Sequence, residues 1–321
     1  MDHSAGLKDG IEWRGSSADD NRPDSLREII HRKWNQRFLE TNRASNTDWK
    51  LVQARGKSYS EGFMQGAGRH INISPVPLRN HAAAVVCAGT NEASLQEVLL
   101  QLAALPLQEV VIVLGKPSEW LFALARNDPK TVIAYLPEKV EPDIGRALGA
   151  KLTGADMILF VDGEKTVPAD QLARFIWECE GKSDIALNDV SGQMGLFHQR
   201  GEIDRFHEFL NTSLNRGDLK INSLSNLPFA VSRNAFDTLG AAAFAIPVKA
   251  HALAILKGLR IGFGGSAGVR RFARNEDTEQ KWRKAAGDHA EAWREAMSAR
   301  GSRLQFADTQ RNRSVLGEWE G

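Results

Sequence analysis

The sequence predicts an α/β protein: a mostly parallel sheet flanked by helices, with a helical N-terminal appendage and a helical C-terminal tail. Three observations predict it. Ala82-Ala83-Ala84-Val85-Val86-Cys87-Ala88 is an unbroken apolar run of strand length, as expected for a strand covered on both faces. Leu95, Val98, Leu99 and Leu102 then recur at helical spacing, and Glu109-Val110-Val111-Ile112-Val113-Leu114 is a second such run. Strand, helix and strand in this length form a crossover unit, and such units are parallel and right-handed. The alternation then continues, with a strand at Thr131–Leu136, a helix at Pro142–Thr153 and a third buried strand at Met157–Val161.

Composition sets the class. The chain has 321 residues, 42% hydrophobic and 25% charged, which suits one large globular domain with appendages, or two domains. Lys plus Arg is 41, Asp plus Glu 40, and the net charge +1. That balance does not argue for a polyanion-binding surface, so nucleic acid is not an expected partner. No apolar run approaches the ~20 residues of a membrane span. Met1-Asp2-His3-Ser4 lacks the basic-then-apolar pattern of a signal peptide. Cys87 and Cys179 are far apart and lack metal-ligand spacing, so they read as buried thiols in a reducing compartment. A cytoplasmic protein is expected, and homo-oligomerisation is left open.

Taken in order, residues 1–24 are rich in Gly, Ser, Asp and Arg without periodicity and read as a loose arm. Ser25 is a candidate cap for a helix whose Leu26, Ile29, Ile30, Trp34 and Phe38 form one apolar face. Gly56-Lys57-Ser58 looks like the tail of a phosphate loop but lacks its leading glycine. Residues 56–68 then read as a Gly-spaced helix or turn. Pro75 and Pro77 mark a linker, so residues 1–80 form the appendage, 81–275 the main domain and 276–321 the tail. After the first strand comes the loop Gly89-Thr90-Asn91-Glu92, with Ser94 as the candidate cap. After the second comes Gly115-Lys116-Pro117-Ser118, followed by a helix at Glu119–Arg126.

The third buried strand organises the chain. Met157-Ile158-Leu159-Phe160-Val161 ends in Asp162-Gly163-Glu164. Two carboxylates just past a buried strand lie where open α/β sheets keep their ligands, and such a pair suits a divalent cation with hard oxygen ligands. Gly163 lets the backbone turn and leaves room for a large ligand. Asp-Gly after a strand is also an ordinary turn. Pro168 opens a helix at Ala169–Glu180.

Ile158-Leu159-Phe160-Val161-Asp162-Gly163-Glu164, followed by Val167-Pro168, resembles the Asp-x-Asp segment of family-2 glycosyltransferases. Those enzymes have the GT-A fold and use nucleotide-diphosphate sugars. The resemblance spans roughly residues 82–185 and implies a Mn2+- or Mg2+-dependent transferase with a UDP- or GDP-type donor. Its acceptor, whether saccharide, lipid or protein, is left open. It implies Asp162 and Glu164 as metal ligands, with Glu164 standing where the family usually has Asp. Thr90, Asn91 and Glu92 match the opening motif that meets the nucleotide. Lys116 stands where the family usually has an acidic residue against the base or ribose. Arg146, in Ile144-Gly145-Arg146-Ala147, is placed to reach the diphosphate, or is a solvated helix arginine.

Further along, a strand is expected at Ser183–Asp189 and a helix at Glu202–Leu214 with Ile203, Phe206, Phe209 and Leu210 on one face. Leu227–Phe236 resembles the acceptor-side strand and its arginine-bearing turn. The family then starts a helix with Glu-Asp, the Asp acting as base; here Ile246-Pro247-Val248-Lys249-Ala250-His251 stands instead. Arg260–Gly268 is a glycine-rich loop or turn cluster, and Glu276 to Lys284 a solvated helix face. Gly287-Asp288-His289 is read at the start of a late helix. Asp288 then either caps that helix or serves as the missing base, and His289 is a candidate third metal ligand. Three functions follow in order: glycosyl transfer, non-catalytic nucleotide-sugar binding or assembly on the same scaffold, and nucleotidyl transfer. The last would want a glycine-rich basic loop after the first strand, which Ala88–Glu92 is not.

Overall fold

A computed structural model of the chain describes residues 1–16, 23–41, 47–88, 91–268, 279–306 and 308. The expected strand–helix order is present. Strands β1 (Ala82–Ala88), β2 (Leu107–Gly115), β3 (Thr131–Leu136) and β4 (Met157–Asp162) alternate with helices α4 (Glu92–Leu102), α5 (Glu119–Ala125) and α6 (Pro142–Leu152). Beyond them lie α7 (Ala169–Cys179), β5 (Ile185–Asn188), α8 (Glu202–Ser213), β6 (Phe229–Ser232) and α9 (Arg233–Leu239). The chain continues through α10 (Ala241–Phe244), α11 (Pro247–Leu256), β7 (Ile261–Gly265) and α12 (Glu279–Arg300). Helices α1 (Asp2–Ser16), α2 (Pro23–Thr41) and α3 (Trp49–Ala67) precede the sheet.

The seven strands form one mixed sheet in the order β3-β2-β1-β4-β6-β5-β7. The pairs β3–β2, β2–β1, β1–β4 and β5–β7 are parallel, and β6 runs antiparallel to both of its neighbours. Cys87 lies opposite Asp162, and Ala88 opposite Leu114. The C-terminal ends of β2, β1 and β4 therefore lie along one edge. The strand order reverses at β1, which makes that edge the ligand crevice of an open α/β sheet.

Alternate residues of the strands feed two cores, as a period of two requires. Ala84 and Val86, Val110, Ile112 and Leu114, and Leu159 and Val161 face the side of α2, α3, α4 and α7. Val85, Val111, Ile158 and Phe160 face the side of α6, α8, α11 and α12. Phe160 stacks on Phe229 at 4.7 Å, filling the second core where β6 meets β4.

Several expectations are corrected. Residues 2–16 are a helix, not a loose arm. Its buried face is Gly6, Gly10 and Trp13, so no apolar stripe announces it. A Cβ on Gly6 would fall 2.0 Å from the Tyr59 carbonyl oxygen, and one on Gly62 2.1 Å from that of His3. Glycines on both helices let α1 and α3 touch backbone to backbone. Ser25 lies inside α2, which begins at Pro23. The glycine-rich 261–265 is a strand paired in parallel with β5, and glycine lets the Phe175 ring pack against it, where a Cβ on Gly264 would fall 2.2 Å from the ring. The tail helix starts by Glu279, so Asp288 and His289 lie in its middle, not at its start. Glu276 and Asp277 lie outside the described residues.

Candidate active site

The edge of the sheet opens into a cavity of about 890 Å³. Its floor is the strand ends: Cys87 and Ala88 of β1, Gly115 of β2 with Lys116 after it, and Val161 and Asp162 of β4 with Glu164 after them. One wall is the segment Lys139–Asp143 and Arg146 at the start of α6. The other is Ile203 and His207 of α8, Pro247 and Val248 of α11, and Lys284, Asp288 and His289 of α12.

The β4 loop is built by its own side chains. Asp162 Oδ1 accepts a hydrogen bond from Glu164 N at 2.9 Å, so the ordinary Asp turn is present. Asp162 Oδ2 and the Glu164 carboxylate have no partner among the described residues, and both residues line the cavity. A Cβ on Gly163 would lie 2.7 Å from the Cys87 carbonyl oxygen and 2.8 Å from Ala88 Cα. The glycine is therefore required by the backbone of β1, not by a ligand. It presses the acidic loop against the neighbouring strand end.

The other predicted residues divide. Asn91 lines the cavity but also caps α4, its Oδ1 accepting from Ser94 N at 3.2 Å, so Asn91 and not Ser94 is the cap. Glu92 is not part of the lining; its carboxylate accepts from Ser118 Oγ at 2.6 Å and ties α4 to α5. Thr90 lies outside the described residues. Lys116 lines the cavity with a left-handed backbone, φ 49°.

Arg146 is buried, not a solvated helix arginine. It pairs with the buried Asp143, and its Nε donates to the Pro142 carbonyl at 3.2 Å. Lys284 of α12 reaches across to Glu141 and, at 3.4 Å, to Asp143. The helix face that reads as solvated thus holds the cavity wall together. Asp288, one turn on from Lys284, has its carboxyl raised above the ordinary range by burial, with Asp143 and Glu141 adding to the rise and Lys284 opposing it. Sequence reading misses Glu141, Asp143 and Lys284. The spacing of Lys284 and Asp288, four apart on one helix, was the available signal.

His289 is fully buried. Its Nδ1 lies 2.6 Å from the Ala285 carbonyl oxygen, which can only accept, so Nδ1 carries the proton and Nε2 the lone pair. The ring packs against His207 at 4.9 Å and Phe206 at 5.4 Å. Burial lowers its pKa to about 4. Among the described residues no group of three or more His, Cys, Asp or Glu side chains is arranged to hold a metal. His289 therefore does not join Asp162 and Glu164 in a ligand cluster. The two carboxylates still suit a hard cation that completes its shell with water and ligand oxygens, the usual habit of Mg2+.

No protein-family model matches the chain, and no curated protein does. The chain is similar to glycosyltransferases of known structure. One is a mannosyltransferase from Pyrobaculum calidifontis in complex with GDP-Man and Mn2+, at 14% identity and TM-score 0.45, covering 85% of this chain and 76% of that one. A second is glucosyl-3-phosphoglycerate synthase from Mycobacterium tuberculosis in complex with Mn2+, uridine-diphosphate and phosphoglyceric acid. It is 12% identical at TM-score 0.46, covering 72% of this chain and 81% of that one. A third is mannosyl-3-phosphoglycerate synthase from Rubrobacter xylanophilus, also 12% identical at TM-score 0.46, covering 71% and 77%.

Proposed function

We infer that the chain is a hexosyltransferase that moves a sugar from a nucleotide-diphosphate donor of the UDP or GDP type to an acceptor hydroxyl. The observation that carries this reading is the acidic loop. Asp162 and Glu164 stand at the strand-order reversal, with Asp162 Oδ2 and the Glu164 carboxylate used by no described residue, beside a cavity large enough for a nucleotide.

Asp162 and Glu164 would hold Mn2+ or Mg2+, which when bound offsets the charge of the departing diphosphate. The donor's bond between anomeric carbon and phosphate oxygen breaks as the acceptor oxygen forms its bond to that carbon. Asp288 takes the acceptor proton. A carboxyl whose pKa is raised by burial is a better base than an ordinary one. With Asp288 inside α12, its carboxylate is not engaged as a helix cap. Arg146, buried and paired with Asp143, fixes the wall of the cavity at the start of α6. The free thiols Cys87 and Cys179 fit a cytoplasmic setting.

A second reading, donor binding without turnover, is favoured by one feature. The first turn of α11, where the resemblance leads one to expect the base, carries no acidic residue. Titration calorimetry with UDP- and GDP-sugars, with and without Mn2+, followed by a donor-hydrolysis assay, separates the two. Binding with hydrolysis supports the transferase. Binding without hydrolysis or transfer supports the second reading, and no binding of any donor refutes both.

A further inference from the structure

The cations of the cavity are unequally employed. Arg146 is matched by Asp143, and Lys284 by Glu141 and Asp143. Lys165 is engaged as well. Lys116 and Lys139 are different: both line the cavity, and neither ammonium group has a partner among the described residues. They come from separate segments that the fold brings together. A Cβ on Gly115 would lie 2.7 Å from Val140 N and 3.2 Å from the Glu138 carbonyl oxygen. Only a glycine there lets the 138–140 segment close on the end of β2. Lys116 N then donates to the Leu136 carbonyl at 2.9 Å. That bond fixes Lys116 in a left-handed backbone that side chains rarely adopt. Two lysines unpaired among these residues are thus placed in one corner of the cavity at the expense of local strain. β2 lies two strand spacings from β4, about 10 Å, so this corner is separate from the Asp162 loop.

We propose that Lys116 and Lys139 form an anion subsite that takes a phosphate group of the bound ligand, apart from the carboxylates that face the cation. Ammonium groups on flexible stems suit a phosphate as point charges. An uncharged ribose or base would leave both charges unmatched. The inference deepens the reading of the cavity as a donor site and rests on it for the kind of ligand. The phosphate has two conceivable sources: the donor's own diphosphate, or a further phosphate on its nucleoside.

The test uses the full chain by calorimetry at low salt, first with inorganic phosphate and no divalent cation. Wild type should bind phosphate. The double variant Lys116→Gln/Lys139→Gln should bind it about tenfold to a hundredfold more weakly. Lys116→Arg/Lys139→Arg should retain it. UDP and GDP are then compared with the same nucleotides carrying an added ribose 3′-phosphate. A gain from the added phosphate that the double variant loses assigns the subsite to the nucleoside. An equal loss for both ligands in the double variant assigns it to the diphosphate. Unchanged affinity for phosphate and for every nucleotide in a folded double variant would overturn the subsite. Failure of the transferase reading shows separately, as absent hydrolysis and transfer while the phosphate titration still responds to the lysines.

Discussion

The two faces of the sheet are built differently. On the face of the N-terminal helices the core is aromatic, with His31 buried beside it: Trp34, Phe38, Tyr59 and Phe63 pack in a chain that ends on Trp177 of α7. On the opposite face the core is interrupted by buried polar groups. Asn211 donates to the carbonyls of Lys220 and Asn222, its Oδ1 accepts from His251 Nε2 at 2.8 Å, and the Asp143–Arg146 pair lies beneath α12. The cavity opens on this second side. Buried polar groups cost stability unless they are matched; those named here match one another, and by doing so they fix the segments that wall the cavity. Trp34, Ile30 and Val76 share one core with β1 and β4, so the helical appendage is continuous with the sheet's packing.

The largest effect expected is in acid. Burial lowers His31 and His251 to about 3 and His289 to about 4. Each is neutral when folded, while the unfolded imidazole takes a proton below about 6.5. Stability is therefore fully present above that pH and is lost as pH falls towards 4, by about 1.4 kcal/mol per pH unit for each histidine. His251 and His289 belong to the cavity face and His31 to the other. Urea unfolding from pH 7 to 4.5 should show His251→Asn reducing the slope by one histidine's share. An unchanged slope would mean that burial does not hold His251 neutral in the folded protein.

Trp34→Ala should cost about 3–5 kcal/mol, read as a lower urea midpoint, while nucleotide affinity stays unchanged in the folded protein. A loss of affinity equal to the loss of stability would mean that the two faces are not separable. Gly163→Ala places a Cβ against β1 and should cost about 1–3 kcal/mol. Unlike Trp34→Ala, it should also weaken nucleotide binding, because it displaces the acidic loop.

Asp288→Asn should have the smallest effect on stability and the opposite sign. The folded carboxyl is raised, so its ionised form is disfavoured relative to the unfolded chain. The variant should gain stability at pH 7 and lose that gain below about pH 3.9, the unfolded value. Transfer should fall by about 10²–10⁴-fold. Full turnover in this variant would dismiss Asp288 as the base.

The first half of the sheet was legible because its strands are covered on both faces. Ala82–Ala88, Glu109–Leu114 and Met157–Val161 could only be long apolar runs, and the acid pair after the third stood out against them. Where contact is made by absence of a side chain, the same logic fails. Gly6 and Gly10 bury the N-terminal helix without an apolar stripe, and Gly264 makes a strand look like a loop. The lining of the candidate cavity was legible by residue, Glu92 excepted, but not by arrangement. Asp162, Glu164, Asn91, Lys116, Arg146, Asp288 and His289 do line one cavity. Asp143, Lys284 and Lys139 were not visible because their roles come from pairings between segments distant in sequence, such as Lys284 with Glu141.

The most direct test is titration of the wild type and Asp162→Ala with UDP- and GDP-sugars in the presence and absence of Mn2+. One donor should bind the wild type more tightly with Mn2+ than without. Asp162→Ala should lose this increment while its melting temperature stays within about 2 °C of wild type, as for a partly exposed loop residue. Donor affinity that is equal with and without Mn2+, and equal in the two proteins, would contradict a cation held by the acidic loop.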